Sequence, residues 1–110
     1  MSVNSQNTFT DEAIRDTSAH NGATVFNGDF VIKTLIIENG LNQQVTCQCQ
    51  ASAHSDFSHS FNVGSSWNVA ASTDTYQTCD SYFPYWRIVA TCGFSPTTGT
   101  LTVTVLGVEG

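Results

Sequence analysis

Residues 81–107 read "SYFPYWRIVATCGFSPTTGTLTVTVLG", and the phase of this stretch decides the fold class. Trp86, Ile88, Ala90 and Cys92 fall on one side of an extended chain, with Tyr85 and Arg87 on the other, which is the period-two pattern of a strand with one face in a core. A second run, "GTLTVTVLG", follows after "SPTTG", where Pro96 fixes φ and Gly99 can take φ > 0. The expectation is therefore two strands joined as a β-hairpin. Aromatic residues gather at 82, 83, 85, 86 and 94 with no catalytic grouping beside them.

Working outward, the same period recurs. "GDFVIKTLIIENG" carries apolar residues on both faces, as expected of a strand buried at the centre of a sheet. After the "NGLNQ" turn, residues 43–52 place Val45, Cys47 and Cys49 on one face and Thr46, Gln48 and Gln50 on the other. "DFSHSFNVG" alternates strictly, which predicts a half-buried strand presenting Phe57, His59, Phe61 and Val63 on its apolar side. "SSWNVAAS" and "DTYQTC" complete an evenly spaced series, with Gly40, Gly64 and Pro84 between strands. The fold class that follows is all-β: a single antiparallel β-sandwich or jelly-roll-like barrel of seven to eight strands.

Composition sets the boundaries of function. The chain has 110 residues, enough for one domain with its own core, and 40% of them are hydrophobic while only 11% are charged. Three Lys and Arg against nine Asp and Glu give a net charge of -6, which removes the phosphate-neutralising term that direct nucleic-acid binding depends on. No run approaches the ~18 apolar residues of a membrane-spanning helix. The first 22 residues lack the basic start and apolar centre of a secretory signal. The expectation is a protein made in the cytoplasm that needs no membrane.

Residues 1–22 are polar and read as an N-terminal arm, with the sandwich domain spanning 23–110. A short helix capped by Thr10, with Asp11 and Glu12 in its first turn, fits the arm's composition. Its large apolar residues, Phe9 and Ile14, are expected to anchor it on a neighbouring subunit, so that the arm is dispensable for folding. The competing expectation is that the segment covers an edge strand of its own sandwich.

The four cysteines, Cys47, Cys49, Cys79 and Cys92, allow two bridges, and Cys47 or Cys49 can reach Cys92 if they face each other across the sandwich. Buried free thiols are the favoured alternative, since the alternation turns Cys47 and Cys49 inward, where a thiol packs as a small hydrophobe. Zinc on Cys47 and Cys49 with His54 or His59 has the ligand types but not the usual spacing. No cofactor is implied. His54, Asp56 and a nearby serine can be drawn as a triad, yet neither a nucleophile elbow nor an oxyanion loop accompanies them. The acidic residues are too scattered for a paired acid/base site or a calcium loop. The chain reads as non-enzymatic.

The order "KTLIIEN…QQVTCQCQAS" (33–52), a strand around Trp67, and "FPYWRIVATCGFSPTTGTLTVTVLG" (83–107) resembles the small β-sandwich virion proteins of tailed phages and related viruses. The resemblance spans about residues 29–107 and implies association with a virus particle. Cys47 and Cys49 stand where such a strand would usually carry aliphatic residues.

Tyr82, Phe83, Tyr85 and Arg87, together with Phe9 and Ile14, are the expected interface, because Tyr, Phe and Arg are enriched where proteins meet. The expected function is that of a capsid decoration, cement or other minor particle protein. Its partners would be capsid or other virion proteins, and it would form a symmetric homo-oligomer, with a trimer among the candidate orders. The alternative is a glycan- or receptor-binding module of a tail or fibre, the rings stacking on carbohydrate. On sequence distance only Asp80, Gln77 and Asn68 come within reach of those rings as polar partners.

Overall fold

The computed structural model describes residues 3–26, 32–79 and 83–108. Its strands are β1 (Val3–Glu12), β2 (His20–Asn21), β3 (Val25–Phe26), β4 (Ile32–Asn39), β5 (Val45–Ser52), β6 (Ser60–Asn62), β7 (Trp67–Val69), β8 (Thr73–Cys79), β9 (Tyr85–Cys92) and β10 (Leu101–Val108). No helix occurs among the described residues. The first sheet runs β1–β10–β4–β8, and the second has β9 and β5 at its centre, with β2 and β3 beside β9 and β6 and β7 beside β5. Every pairing is antiparallel. The β-sandwich expectation holds, with six strands of seven or more residues among the described residues and four pieces of two or three residues along the margins of the second sheet.

The core forms where the alternating faces meet. Leu35 and Ile37 of β4 and Leu101, Val103 and Val105 of β10 come from the first sheet; Val45, Cys47, Cys49 and Ala51 of β5 and Trp86, Ile88, Ala90 and Cys92 of β9 come from the second. The inward phase expected for β5 and β9 is therefore the observed one. Leu41, fully buried, sits on the chain as it crosses from β4 in one sheet to β5 in the other. Beside it the buried Asn39 donates from Nδ2 to the carbonyls of Gln43, Val69 and Ala70 at 3.1–3.2 Å, while its Oδ1 accepts the Leu41 N–H. A buried amide is tolerated there because both of its ends are bonded.

Three expectations are corrected. First, β9 and β10 are not a hairpin: β9 belongs to the second sheet and β10 to the first, so residues 93–100 form an arch between layers. Asn42 grips that arch, accepting the N–H groups of Thr97 and Thr98 and donating to Thr97 Oγ1 at 2.7 Å. Pro96 is buried within it. Gly99 does adopt φ +88°, and any Cβ there would collide with the Gly40 carbonyl, so the site admits only glycine on both counts.

Second, residues 3–12 are not an arm or a helix but a full strand, β1, paired with β10 from Val3↔Val108 to Glu12↔Leu101. Phe9 and Ile14 are buried in this chain's own core, so neither anchors a neighbour. The bulges around Phe9 and a positive φ at Asp11 interrupt the alternation, which hid the strand from a period-two reading. Thr8 ties the strand to the second sheet: its carbonyl accepts the Ala23 N–H at 2.6 Å and its Oγ1 donates to the Ala23 carbonyl at 2.8 Å.

Third, "DFSHSFNVG" yields only the three-residue β6. Ser52 Oγ donates to the His59 carbonyl and accepts the His54 N–H, and Asp56 Oδ1 accepts the Ser58 N–H, so local side-chain bonds fold 53–59 into a loop. Phe57 takes φ +54° in that loop, and His59 and Phe61 are exposed rather than half-buried.

Candidate functional site

One end of the second sheet gathers the aromatic residues. Strand register sets them in rows: Phe26, Tyr85, Ser52 and Ser60; then Val25, Trp86, Ala51 and Phe61; then Arg87, Gln50 and Asn62. Trp86 faces the core and is fully buried, and its indole N–H donates to the Phe83 carbonyl at 2.6 Å. Phe83 packs edge-on against it at 6.4 Å and tilts against Phe61 at 5.8 Å, linking the core to an exposed ring. On the outer face Tyr85 meets Phe26 with centroids 5.4 Å apart.

Arg87 is held on the same face. Its Nε donates to Gln50 Oε1 at 3.0 Å, and its guanidinium lies 4.3 Å from the centroid of the buried Phe57 ring. Gln50 in turn donates to Asn62 Oδ1 at 3.1 Å, so a polar ladder crosses β9, β5 and β6 beside Tyr85. A guanidinium fixed by a hydrogen bond and an aromatic face keeps its remaining donors aimed outward and has little rotamer freedom left to lose.

Of the expected interface residues, the structure places Tyr85 and Arg87 on the outer face at this end and Phe83 on the core side against Trp86, while Phe9 and Ile14 are core and Tyr82 lies outside the described residues. Asp80 is also outside them. Gln77 and Asn68 sit on strands away from the rings, Gln77 in the first sheet and Asn68 opposite Thr46. The amides that do lie at this end are Gln50 and Asn62, in the row of Arg87. Gln50 has the outward phase visible in "VTCQCQAS", whereas pairing it with Arg87 and Asn62 requires the strand order.

The thiols are part of the core. Cys47, Cys49 and Cys92 are all buried, and Cys47 and Cys92 are unbridged. β5 and β9 are neighbours in one sheet, with Cys92 opposite Val45, so Cys47 and Cys49 do not face Cys92 across the sandwich. The side chain of Cys79 lies outside the described residues. His54 and His59 meet with tilted rings 5.8 Å apart on the exposed loop, away from the inward-pointing Cys47 and Cys49, so the zinc arrangement does not assemble among the described residues. Among the described residues, Asp16, Ser18 and His20 come closest to a triad, but Ser18 Oγ and His20 Nε2 both bond the same Asp16 oxygen. The imidazole therefore does not engage the hydroxyl. His20 first, and Ser18 with it, hold the Asp16 carboxyl below its usual range.

Burial, with Cys92 nearby, pushes the Cys47 thiol up from 9.0 to about 12. A thiol raised in the folded state contributes stability that is present below pH 9.0 and lost as pH climbs towards about 12, because the unfolded chain ionises first. The native protein should therefore leave Cys47 unlabelled by a thiol reagent at pH 8, where denaturant exposes it at once, and its melting point should fall above pH 9. Rapid labelling of Cys47 in the native state would contradict the inward register.

No protein-family model matches the sequence, and no curated protein is similar to it at the level of sequence. Solved structures do share the fold. The PBSX exported protein XepA superposes with a TM-score of 0.74 at 16% identity, over 96% of this chain and 37% of that one. PirA superposes with a TM-score of 0.54 at 15% identity, over 96% of this chain and 91% of its own. This chain thus spans little more than a third of XepA, and what the two likenesses establish is a shared β-sandwich.

Proposed function

We propose that this chain is a non-enzymatic structural protein of a phage particle, a capsid decoration or other minor virion protein that works by binding its neighbours. The observation that carries the reading is the outer face at the end of the second sheet, where Tyr85, packed on the exposed Phe26, shares its face with an Arg87 already fixed by Gln50 and Phe57. Half-exposed aromatic residues around an oriented guanidinium match the composition of protein interfaces. Pre-ordering of Arg87 lowers the entropic cost of docking. The sandwich shared with the PBSX exported protein XepA is compatible with such a role. A subunit that binds only the assembled particle stabilises it by mass action.

The test is incorporation into particles of the phage that encodes the chain. Tyr85→Ala combined with Arg87→Glu should leave the melting point within a few degrees of wild type yet lower particle occupancy about tenfold or more, as loss of central interface anchors does. Particles that carry no copies of the wild-type protein, or full occupancy by the double variant, would remove this reading.

The Arg87–Gln50–Asn62 ladder favours one second reading, a glycan-binding face, since a sugar needs polar partners beside its stacking ring and these amides provide them. On that reading an oligosaccharide array gives binding that Gln50→Ala abolishes, and the protein is scarce on particles.

A further inference from the structure

A sandwich of two open sheets has four edges, and three of them here are blunted. β1 is covered along its outer side by residues 23–26: Gln6 donates to the Phe26 carbonyl and accepts the Phe26 N–H, and Thr8 bonds Ala23 in both directions. The bulges of β1 twist that edge further. The margins of the second sheet are broken into β2 and β3 on one side and β6 and β7 on the other, none longer than three residues. Short and interrupted edges are a standard protection against strand addition.

β8 has none of these devices. It runs unbroken for seven residues, pairs in register with β4 from Lys33↔Cys79 to Asn39↔Thr73, and has no strand beyond it among the described residues. It contains no proline or lysine, and its one charge is Asp74. Tyr76, 69% exposed, stands at its midpoint on the outer face, beside a shallow hollow of about 430 Å³ lined by Thr34, Ile36, Asp74, Thr75 and Tyr76.

We propose that β8 is a self-association edge, pairing antiparallel with β8 of a second copy about a two-fold axis through Tyr76, so that two four-stranded sheets join into one of eight strands. The strand's own sequence argues for this occupant. Centred on Tyr76, the pairing uses all seven residues and sets Tyr76 against Tyr76 of the other copy, Thr75 against Gln77, and Asp74 against Thr78. The single acidic residue thus never opposes itself, and the aromatic pair lies at the centre, where cross-strand contacts contribute most directly to sheet pairing. The two-fold makes the contact self-complementary and closed, which ends growth at a dimer rather than a fibre. The dimer does not depend on the phage reading; if both hold, it presents two Tyr85–Arg87 faces and binds a symmetric particle with avidity.

Sedimentation velocity on the purified chain tests it. Wild type should be a dimer at about 100 µM. Tyr76→Lys, which opposes two like charges at the axis, should weaken dimerisation about tenfold or more while keeping the far-UV spectrum and melting point. Tyr76→Glu should do the same, and mixing the two variants should restore a dimer, because opposite charges then meet across the axis. A wild-type chain that stays monomeric at that concentration overturns the proposal and leaves the edge to a strand from another protein. A dimer that survives Tyr76→Lys overturns it by placing the contact elsewhere, as does failure of the mixed pair to recombine when both variants are folded.

Discussion

Trp86→Ala is expected to leave the chain largely unfolded at 37 °C. Trp86 is the largest fully buried side chain and sits where β9, β5 and β3 meet, opposite Ala51 and Val25, with its indole N–H on the Phe83 carbonyl. Truncating a buried aromatic of this kind costs about 3–5 kcal/mol, against a total stability of roughly 5–15 kcal/mol for a domain. The loss also frees Phe83, whose ring packs edge-on against the indole. Tyr85→Ala, one residue away on the outer face, should shift the melting point by only a few degrees. Thermal denaturation of the two variants side by side checks the assignment, and a larger loss for Tyr85→Ala would mean that the faces of β9 are exchanged.

Removing residues 1–12 should be at least as damaging. The truncation takes away a whole strand, the buried Phe9 and Thr8, and the bonds by which Thr8 joins the two sheets through Ala23. It also bares the edge of β10, whose "LTVTVLGV" is apolar, β-branched and uncharged. Such an edge pairs with other chains unless it is covered. The expected result is insoluble protein, or a soluble fraction without a cooperative melt. A truncated chain that stays soluble with a wild-type melting point would restore the dispensable-arm expectation, and Phe9→Ala, costing about 3–5 kcal/mol, offers a milder probe of the same packing.

This reversal shows where local pattern stops being informative. β1 is polar on its outer side and bulged around Phe9, so neither of its two signals, alternation and apolar content, is strong enough to separate a strand from an arm. What makes it a strand is the unsatisfied edge of β10, nearly a hundred residues away in sequence, which pairs Asn7 with Thr104 both through the backbone and through a 2.9 Å side-chain bond. A demand of that kind belongs to the assembled sheet and leaves no mark on the nearby sequence.

The candidate face divides in the same way. The outward phase of Tyr85, Arg87 and Gln50 is legible from alternation alone, because a strand with one buried face has only one register that keeps Trp86, Ile88 and Cys47 inside. The neighbours that give these residues a use are not legible. Phe26 reaches Tyr85 through the two-residue β3, Phe57 reaches Arg87 from a loop held by Ser52 and Asp56, and Asn62 reaches Gln50 through a strand of three residues.

The sequence by itself determined the all-β class, the inward set of β5 and β9, and the special conformation of Gly99, since each depends on steric and solvation preferences acting within a few residues. Only the tertiary structure decided that β9 and β10 lie in different sheets, that residues 3–12 complete the first sheet, and that β8 is, among the described residues, the edge left open. Strand order is a competition among long-range pairings of similar local quality, and it is settled by which arrangement buries the most apolar surface with every backbone group bonded.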